Sequence, residues 1–401
     1  MPRTALLILL ASASALSGCG GGSEGGAAPA PPTGRAPLIE RAIAAAGGRA
    51  ALSAVRTLES RSIVEDGPLT YATHVQVRLP SSYRHVMEHA DARFVQILYD
   101  GRSYASLDGA PYELEPDEAA AMRESLRLMG LSLLVHLDAE HGAEIEELAP
   151  KDGYERLSAR FRDAPEGPYE LWFRADTLRL ARLAWEATFV GRRGKRQARL
   201  DLDDWRSESG IVAAWRARLF VDEAPAGENR LTALVVNPTL PDDAFAPPAP
   251  VGGEPPVVER DTAPQTVALW EQRRGTGSVA DAEDKLASFI ERRGLVRRGP
   301  MFRLLPTREG EHAAVGVAVV PPPSETRPSS SPSEMLHVTV RPGGRVLSLV
   351  LRRPDDSART AALARLTAHA ESRGLTPDGP CRATEWSETL LQLQLPVREK
   401  E

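Results

Sequence analysis

The sequence predicts an α+β fold in which a long antiparallel sheet with covering helices is followed by a duplicated strand-helix-strand-strand module. Two observations carry this prediction. Apolar residues alternate with polar ones through much of the first half of the chain, which is the pattern of half-buried strands. In the last third of the chain, a glycine-containing motif occurs twice, which indicates a repeated structural unit.

Length and composition are those of an ordinary globular protein with more than one domain. The chain has 401 residues, of which 42% are hydrophobic and 26% are charged. At roughly 150 residues per domain, this length predicts two to three domains. Lys and Arg number 49 against 55 Asp and Glu, a formal net charge of -6. Because nucleic-acid binding depends on concentrated positive charge, no nucleic-acid partner is predicted.

The first nineteen residues have the composition of an export signal. Arg3 precedes an apolar run from Ala5 to Leu16, which is too short to span a bilayer. The ending Leu16-Ser17-Gly18-Cys19 resembles the lipobox of bacterial lipoproteins. This resemblance implies cleavage before Cys19 and a lipid anchor on that cysteine. An ordinary secretory signal with a cysteine near its cleavage site is the alternative.

The predicted location is the cell envelope, with the protein lipid-anchored to a membrane. By resemblance to lipoprotein sorting, Gly20 after the modified cysteine favours the outer membrane, with the protein facing the periplasm. Residues 20–36 are rich in Gly, Ala and Pro and form a flexible tether. Cys381 is the only other cysteine, so acylation of Cys19 would leave no intrachain disulfide.

Residues 37–248 form the first predicted domain, which begins with a helix and continues as strands. Pro37 suits a first helical turn, and Gly47-Gly48 ends the helix. The turn signals Asp100-Gly101 and Asp108-Gly109 indicate hairpins, and such short connections make the sheet antiparallel. The predicted strands cover residues 71–79, 83–89, 93–99, 154–161, 169–173, 178–186, 195–205, 211–221 and 231–236.

An apolar helical stretch interrupts these strands and has little polar face left over, so other parts of the chain must cover it. Its apolar residues include Leu126, Met129, Leu133, Leu134 and Leu137. With this helix, the segment resembles the lipoprotein-carrier family of LolA/LppX-like half-barrels. The likeness is carried by the opening helix with Gly47-Gly48, the turn Tyr99-Asp100-Gly101 with Tyr104, the helix after Pro116, and Val236-Asn237-Pro238 with Asp242, Asp243 and Phe245.

The resemblance implies an antiparallel half-barrel sheet with covering helices and an apolar cavity for a lipid or acyl chain. The residues predicted to line that cavity are Leu126, Met129, Leu133, Leu134 and Leu137. A filled core without a cavity is the alternative.

A duplicated module follows a Pro-rich stretch, residues 249–263, which is predicted to be a linker. Arg293-Gly294-Leu295 followed by Gly299-Pro300 recurs 80 residues later as Arg373-Gly374-Leu375 followed by Gly379-Pro380. Each copy closes a helix, where glycine suits a left-handed cap. The second domain therefore covers residues 264–401, with repeats 264–321 and 336–401.

The tandem module resembles the GyrI-like, or AraC-type effector-binding, family of small-molecule-binding domains. In that family, an acidic residue four positions before the final strand's proline lies in the ligand cleft. The matching position here is Gln392, whose amide neither takes up a proton nor attracts a cation by charge. The predicted cleft residues are Trp270, Trp386, Gln392 and Gln394, suited to a neutral ligand. A degenerate cleft that only mediates contacts is the alternative.

Catalytic patterns are scarce in the sequence. His85 and His89 lie four apart in a strand, about 13 Å from each other, which is too far for one zinc ion. No nucleophile elbow or phosphate-binding glycine loop occurs. No catalytic residue, metal or cofactor is therefore predicted.

The predicted function is that of a non-catalytic envelope lipoprotein that binds an apolar ligand, a small molecule, or both. One alternative is a GyrI-like hydrolase of an electrophilic small molecule, which would need a cleft carboxylate from Glu385 or Glu388. The other alternative is a protein-binding envelope scaffold.

Overall fold

The computed structural model places thirteen strands of the first domain in one antiparallel sheet. The structure describes residues 37–67, 69–89, 92–112, 114–134, 143–162, 167–188, 195–247, 254–271, 279–307, 313–320, 336–387 and 389–400. Cys19, the signal segment, the tether, Leu137 and Glu388 lie outside the described residues. None of the helices in the described ranges has the length and apolar character that crossing a bilayer requires.

The first sheet runs out from its centre and returns from the opposite edge. Its strand order is β6-β5-β4-β3-β2-β1-β13-β12-β11-β10-β9-β8-β7, and the closing pair β1 and β13 is antiparallel. The strands are β1 Thr57–Asp66, β2 Leu69–Arg78, β3 Ser82–Glu88, β4 Arg93–Tyr99, β5 Arg102–Leu107, β6 Ala110–Tyr112, β7 Ala143–Lys151, β8 Tyr154–Phe161, β9 Tyr169–Arg174, β10 Leu180–Thr188, β11 Lys195–Glu208, β12 Ile211–Val221 and β13 Ala224–Val236.

The alternation of side chains explains why these segments form strands with one buried face. In β2, every second residue from Leu69 to Val77 is buried, and the residues between them are half-buried. The predicted hairpin turns are present, since Asp100, Gly101, Asp108 and Gly109 all have positive φ, as a tight two-residue turn requires.

Three helices accompany this sheet: α1 Leu38–Ala45, α2 Arg49–Ser53 and α3 Pro116–Ser132. Gly47 must be glycine, because its φ is +118° and a Cβ there would lie 2.1 Å from the Gly210 carbonyl oxygen. In α3, a capping box joins Glu115 and Glu118, and Pro116 opens the first turn. The helix crosses from one sheet edge to the other and lies on the buried face.

The second sheet has a palindromic order that reflects the sequence repeat, β14-β20-β23-β22-β17-β18-β15-β19, with β16 beside β18 and β21 beside β23. Its strands are β14 Val258–Thr262, β15 Gln265–Glu271, β16 Val296–Arg297, β17 Phe302–Leu305, β18 Ala314–Val320, β19 Leu336–Arg341, β20 Gly344–Arg352, β21 Leu375–Pro377, β22 Cys381–Ser387 and β23 Leu390–Glu399. The helices are α4 Val279–Arg292 and α5 Asp356–Ser372.

The two copies of the repeat meet at the centre of this sheet. Strands β17 and β22 are equivalent in the two copies and pair with each other, so a pseudo-twofold axis passes between them. Gly294 and Gly374 follow α4 and α5 with φ of +62° and +71°, the left-handed cap that the motif predicts. The predicted fold class, a half-barrel sheet with covering helices followed by a duplicated strand-helix-strand-strand module, is confirmed.

The structure differs from the sequence prediction at the linker. Residues 258–262 of the predicted linker form β14, which pairs with β20 of the second repeat. In the same way, β19 lies at the start of the second repeat and pairs with β15 of the first. Each copy therefore completes the other half of the sheet. The short polar sequence of β14, with one apolar residue in five, hides this edge strand.

Candidate functional site

The predicted cavity residues of α3 and the turn after it lie in the core. Leu126, Met129, Leu133 and Leu134 are all buried and belong to one apolar cluster with the sheet. Two small cavities flank the end of α3, one lined by Leu133 and one by Leu134, and each has a volume of about 10 Å³. That volume holds about one water molecule and no acyl chain. In this state, α3 fills the half-barrel beneath it.

Polar side chains interrupt the apolar concave face. Ser62 and Thr73 form a hydrogen bond of 2.7 Å between their hydroxyls. His85 lies beside Gln96 on neighbouring strands, and burial lowers the pKa of His85 to about 3 although Gln96 hydrogen-bonds to it. The imidazole is therefore neutral at physiological pH. No three His, Cys, Asp or Glu side chains within the described ranges come together as a metal site.

The second sheet has two faces. The helix face packs on α4 and α5, and the opposite face, here named the cleft face, carries Gln392 and Gln394. Leu391, Leu393 and Leu395 of β23 pack with Leu366 and Ala370 of α5. Gln392 and Gln394 alternate with these leucines and project from the opposite face. The predicted cleft amides therefore point away from the helices.

Trp270 lies on the helix face, so the structure does not bring it to Gln392. It packs with Leu286 and Phe289 of α4. The register shows the same. Trp270 pairs with Val315 and shares its face, whereas Gly316, the next residue on that strand, points to the opposite face. Gly316 in turn shares a face with Phe302, Thr384 and Gln392 through successive antiparallel pairs. The indole fills the core beneath α4.

Trp386 and Gln392 do meet on the cleft face. The Trp386 Nε1 group donates a hydrogen bond of 3.0 Å to Gln392 Oε1. Gln392 Nε2 donates to Ser348 Oγ at 3.0 Å and to Asp108 Oδ2 at 2.5 Å. Gln392 is only 1% exposed. Asp108 belongs to the turn between β5 and β6, so its carboxylate enters the cleft from the half-barrel domain.

Asp108 is held from both domains. Its Oδ1 accepts from the Arg93 backbone N–H at 2.8 Å, which fixes the turn to β4. Its Oδ2 lies 2.9 Å from Arg260 Nη2 of β14, and the Asp108 side chain is 2% exposed. The resemblance places an acidic group in this cleft at position 392. Here an acidic group is present, but the other domain supplies it.

Aromatic side chains from both domains surround this contact. The Trp386 ring meets the Phe94 ring edge-on at 4.7 Å and lies 5.2 Å from the His89 ring. The Tyr71 ring lies 4.5 Å from His89 on the other side. Val350, Trp386 and Leu390 belong to the same apolar cluster as the half-barrel core. The two domains therefore share a continuous buried interface.

The interface also reaches the first turn of α3. Arg352 forms an ion pair with Glu118, and its guanidinium lies 5.1 Å from the Tyr112 ring centroid. Arg353 pairs with Glu115 at 2.8 Å. Glu115 and Glu118 are the capping residues of α3. The second domain thus holds the end of the helix that fills the half-barrel.

The carboxylate that a hydrolase would need is not Glu385. Its side chain faces α5, where its Oε1 lies 3.5 Å from Arg359 Nη2. In register it pairs with Leu391 of the helix face. Asp108 is the carboxylate at Gln392, and both of its oxygens accept hydrogen bonds. The sequence marks Asp108 only as a turn residue, and no local signal indicates its place in the cleft.

No protein-family model matches the chain, and no curated protein matches it significantly. Among solved structures, the chain is similar to EcmrR in a complex with DNA, with 14% identity over 36% of this chain and 57% of that chain and a TM-score of 0.29. The chain thus covers little more than half of EcmrR.

A domain of an outer-membrane lipoprotein-sorting protein from Vibrio parahaemolyticus is similar with 10% identity over 48% of this chain and 88% of that chain, and a TM-score of 0.31. A DUF1329 family protein from Desulfovibrio piger is similar with 12% identity over 52% of this chain and 95% of that chain, and a TM-score of 0.35. All three TM-scores lie below 0.5.

Proposed function

We propose that the protein is a non-enzymatic binding protein of the cell envelope. Cys19 carries its lipid anchor and the tether holds its two domains on the periplasmic side of the outer membrane. The half-barrel binds an apolar chain, such as an acyl chain, when α3 moves out of the concave face. The cleft of the second domain binds a small molecule. The observation that carries the proposal is that the half-barrel has an apolar concave face and that a single helix, α3, covers it.

The contacts that α3 makes with the half-barrel set the cost of exchanging the helix for a lipid. Five residues of α3 are buried in the core and would lose contacts: Met122, Leu126, Leu128, Met129 and Leu131. At about 1.5–3 kcal/mol for each buried side chain, they contribute roughly 8–15 kcal/mol. An acyl chain of about fifteen methylenes taken from water gains a similar amount at about 0.8 kcal/mol each. A lipid delivered from water therefore offsets the loss of the α3 contacts, whereas a lipid already in a bilayer does not.

Native mass spectrometry after gentle detergent extraction tests this proposal. The expected result is a protein mass with one bound lipid. Hydrogen exchange with and without added lipid then locates the site: α3 should exchange faster with lipid, and α5, on the far face of the second sheet, should not change. A bare polypeptide mass under several conditions, with α3 unaffected by lipid, would falsify lipid binding.

A protein-binding scaffold is the second candidate. The filled half-barrel favours it, because the cavities beside α3 have volumes of only about 10 Å³ each. In that case the same experiments return the bare polypeptide mass. Hydrolysis has less support, because Asp108 is engaged by Arg93, Arg260 and Gln392.

A further inference from the structure

Four polar side chains form a row across the cleft face of the second domain. The row consists of Arg260 on β14, Ser348 on β20, Gln392 on β23 and Trp386 on β22. The strands β14, β20, β23 and β22 are consecutive neighbours in the sheet. The row therefore belongs to the second domain alone, and only Asp108 comes from the half-barrel.

The orientation of the Gln392 amide is fixed by its neighbours. Trp386 Nε1 can only donate, and it lies 3.0 Å from one end of the amide. That end must be the oxygen, so the amide nitrogen points to Asp108. Gln392 Nε2 and Arg260 Nη2 thus both donate to the same oxygen, Asp108 Oδ2. A positive charge and an N–H donor that converge on one oxygen suit a carboxylate.

We infer that the cleft of the second domain is a carboxylate-binding site. Asp108 is its internal occupant in this state, and a small organic acid with an apolar or aromatic body competes with Asp108 for Arg260 and Gln392. This inference rests on the proposed function, in which the cleft binds a small molecule, and it names the chemical class of that molecule. The charge preference is opposite to the cationic one that an acidic residue at position 392 would give.

The surroundings of the row define the body of the ligand. Val350, Trp386 and Leu390 are buried against the half-barrel domain, where Phe94 covers the Trp386 ring. When the half-barrel domain separates from the cleft face, these apolar side chains lose their cover. An aromatic or aliphatic acid replaces both the carboxylate and the apolar contact. Because the internal occupant must leave first, only molecules with an open cleft can bind the acid. The apparent affinity is therefore the intrinsic affinity multiplied by the fraction of molecules in which the cleft is open.

Calorimetric titration with three probes of similar shape tests the inference: sodium benzoate, benzamide and benzamidine. The protein is the full chain carrying Cys19→Ser, with and without Asp108→Asn. Asparagine keeps the positive φ of the turn and removes the charge that competes. We expect benzoate to bind the Asp108→Asn variant at least tenfold more tightly than the parent. Benzamide and benzamidine should bind at least tenfold more weakly than benzoate.

Asp100→Asn is the matched control, because Asp100 occupies the same kind of turn between β4 and β5, with φ of +50°. It should bind benzoate as the parent does. Adding Arg260→Gln to Asp108→Asn should weaken benzoate binding at least tenfold. A preference for benzamidine, or equal benzoate affinity in the Asp108→Asn and Asp100→Asn variants, overturns the inference.

A second measurement covers the case in which Asp108→Asn does not fold. Benzoate is then added to the parent, and hydrogen exchange is followed at residues 108–112. Faster exchange with benzoate but not with benzamidine supports competition with Asp108, and unchanged exchange refutes it. These tests are independent of lipid. Failure of lipid binding with benzoate binding intact removes the half-barrel proposal alone, and the reverse result removes the carboxylate site alone.

Discussion

Replacing Gln392 with glutamate places a second carboxylate in the cleft. The two side chains have nearly the same shape, so Gln392→Glu changes charge and hydrogen bonding and little else. In the structure, Gln392 Nε2 donates to Asp108 Oδ2 over 2.5 Å. After the substitution, two carboxylate oxygens face each other in a site where neither parent side chain is more than 2% exposed.

The size of the effect follows from the distances. Two like charges about 4 Å apart repel by about 4 kcal/mol at an effective dielectric constant of about 20. Arg260, 2.9 Å from Asp108 Oδ2, offsets part of this repulsion. The lost hydrogen bond to a charged group adds about 1.5–3 kcal/mol. We therefore expect the domain interface to lose about 3–5 kcal/mol.

Hydrogen exchange at residues 108–112 measures this loss in the full chain carrying Cys19→Ser. At about 1.4 kcal/mol per factor of ten, exchange should rise at least 100-fold at pH 7. Adding Asp108→Asn to Gln392→Glu places an amide donor opposite the new carboxylate and should restore most of the protection. If Gln392→Glu exchanges like the parent, or if the second substitution does not rescue it, Asp108 does not make the contact assigned here.

Three further predictions concern a buried histidine, a buried thiol and an ion pair. The pKa of His85 is lowered to about 3, below its ordinary 6.5, so the free energy of unfolding should fall as pH decreases from 6.5, by about 2 kcal/mol at pH 5. His85→Gln should make the free energy of unfolding depend less on pH in this range. An unchanged pH dependence contradicts the lowered pKa of His85. Burial raises the pKa of the Cys381 thiol to about 12. In the folded Cys19→Ser protein, iodoacetamide should therefore label Cys381 at least 100-fold more slowly than it labels Cys381 in the unfolded chain. Rapid labelling of the folded protein argues against this burial. Arg352→Met removes the ion pair with Glu118, so hydrogen exchange in the first turn of α3 should rise about tenfold. Exchange in the first turn of α5 should stay unchanged. If the substitution changes exchange equally in the two turns, the ion pair does not hold α3.

The period-two pattern predicts most strands of the half-barrel, and its failures have a physical cause. The strand β1 is hidden because its buried positions include Ser60, Ser62 and Asp66, so burial alternates along it while hydrophobicity does not. The strands β5 and β6 are short, with 6 and 3 residues. The pattern of apolar residues reports burial only where the buried face is apolar.

The candidate site is harder to predict because its residues are far apart in the chain. Gln392 and Trp386 lie on adjacent strands of one repeat, and the sequence places them together. Asp108 contacts Gln392 from 284 positions away. Trp270 shows the opposite case: it occupies the face that packs on α4, and the register across four neighbouring strand pairs sets this face opposite that of Gln392.

The chemical character of the cleft depends on two residues that a local pattern assigns to connecting segments. Arg260 lies in the predicted linker and Asp108 in a hairpin turn. Taken alone, Gln392 in place of an acidic residue indicates a cleft that has lost its charge. With Arg260 on the edge strand β14, two strands from Gln392, the same substitution reverses the sign of the cleft, because the positive charge now belongs to the domain and the negative charge to its occupant. A carboxylate from outside the chain therefore meets the same partners as Asp108, and the domain interface must open before it can bind.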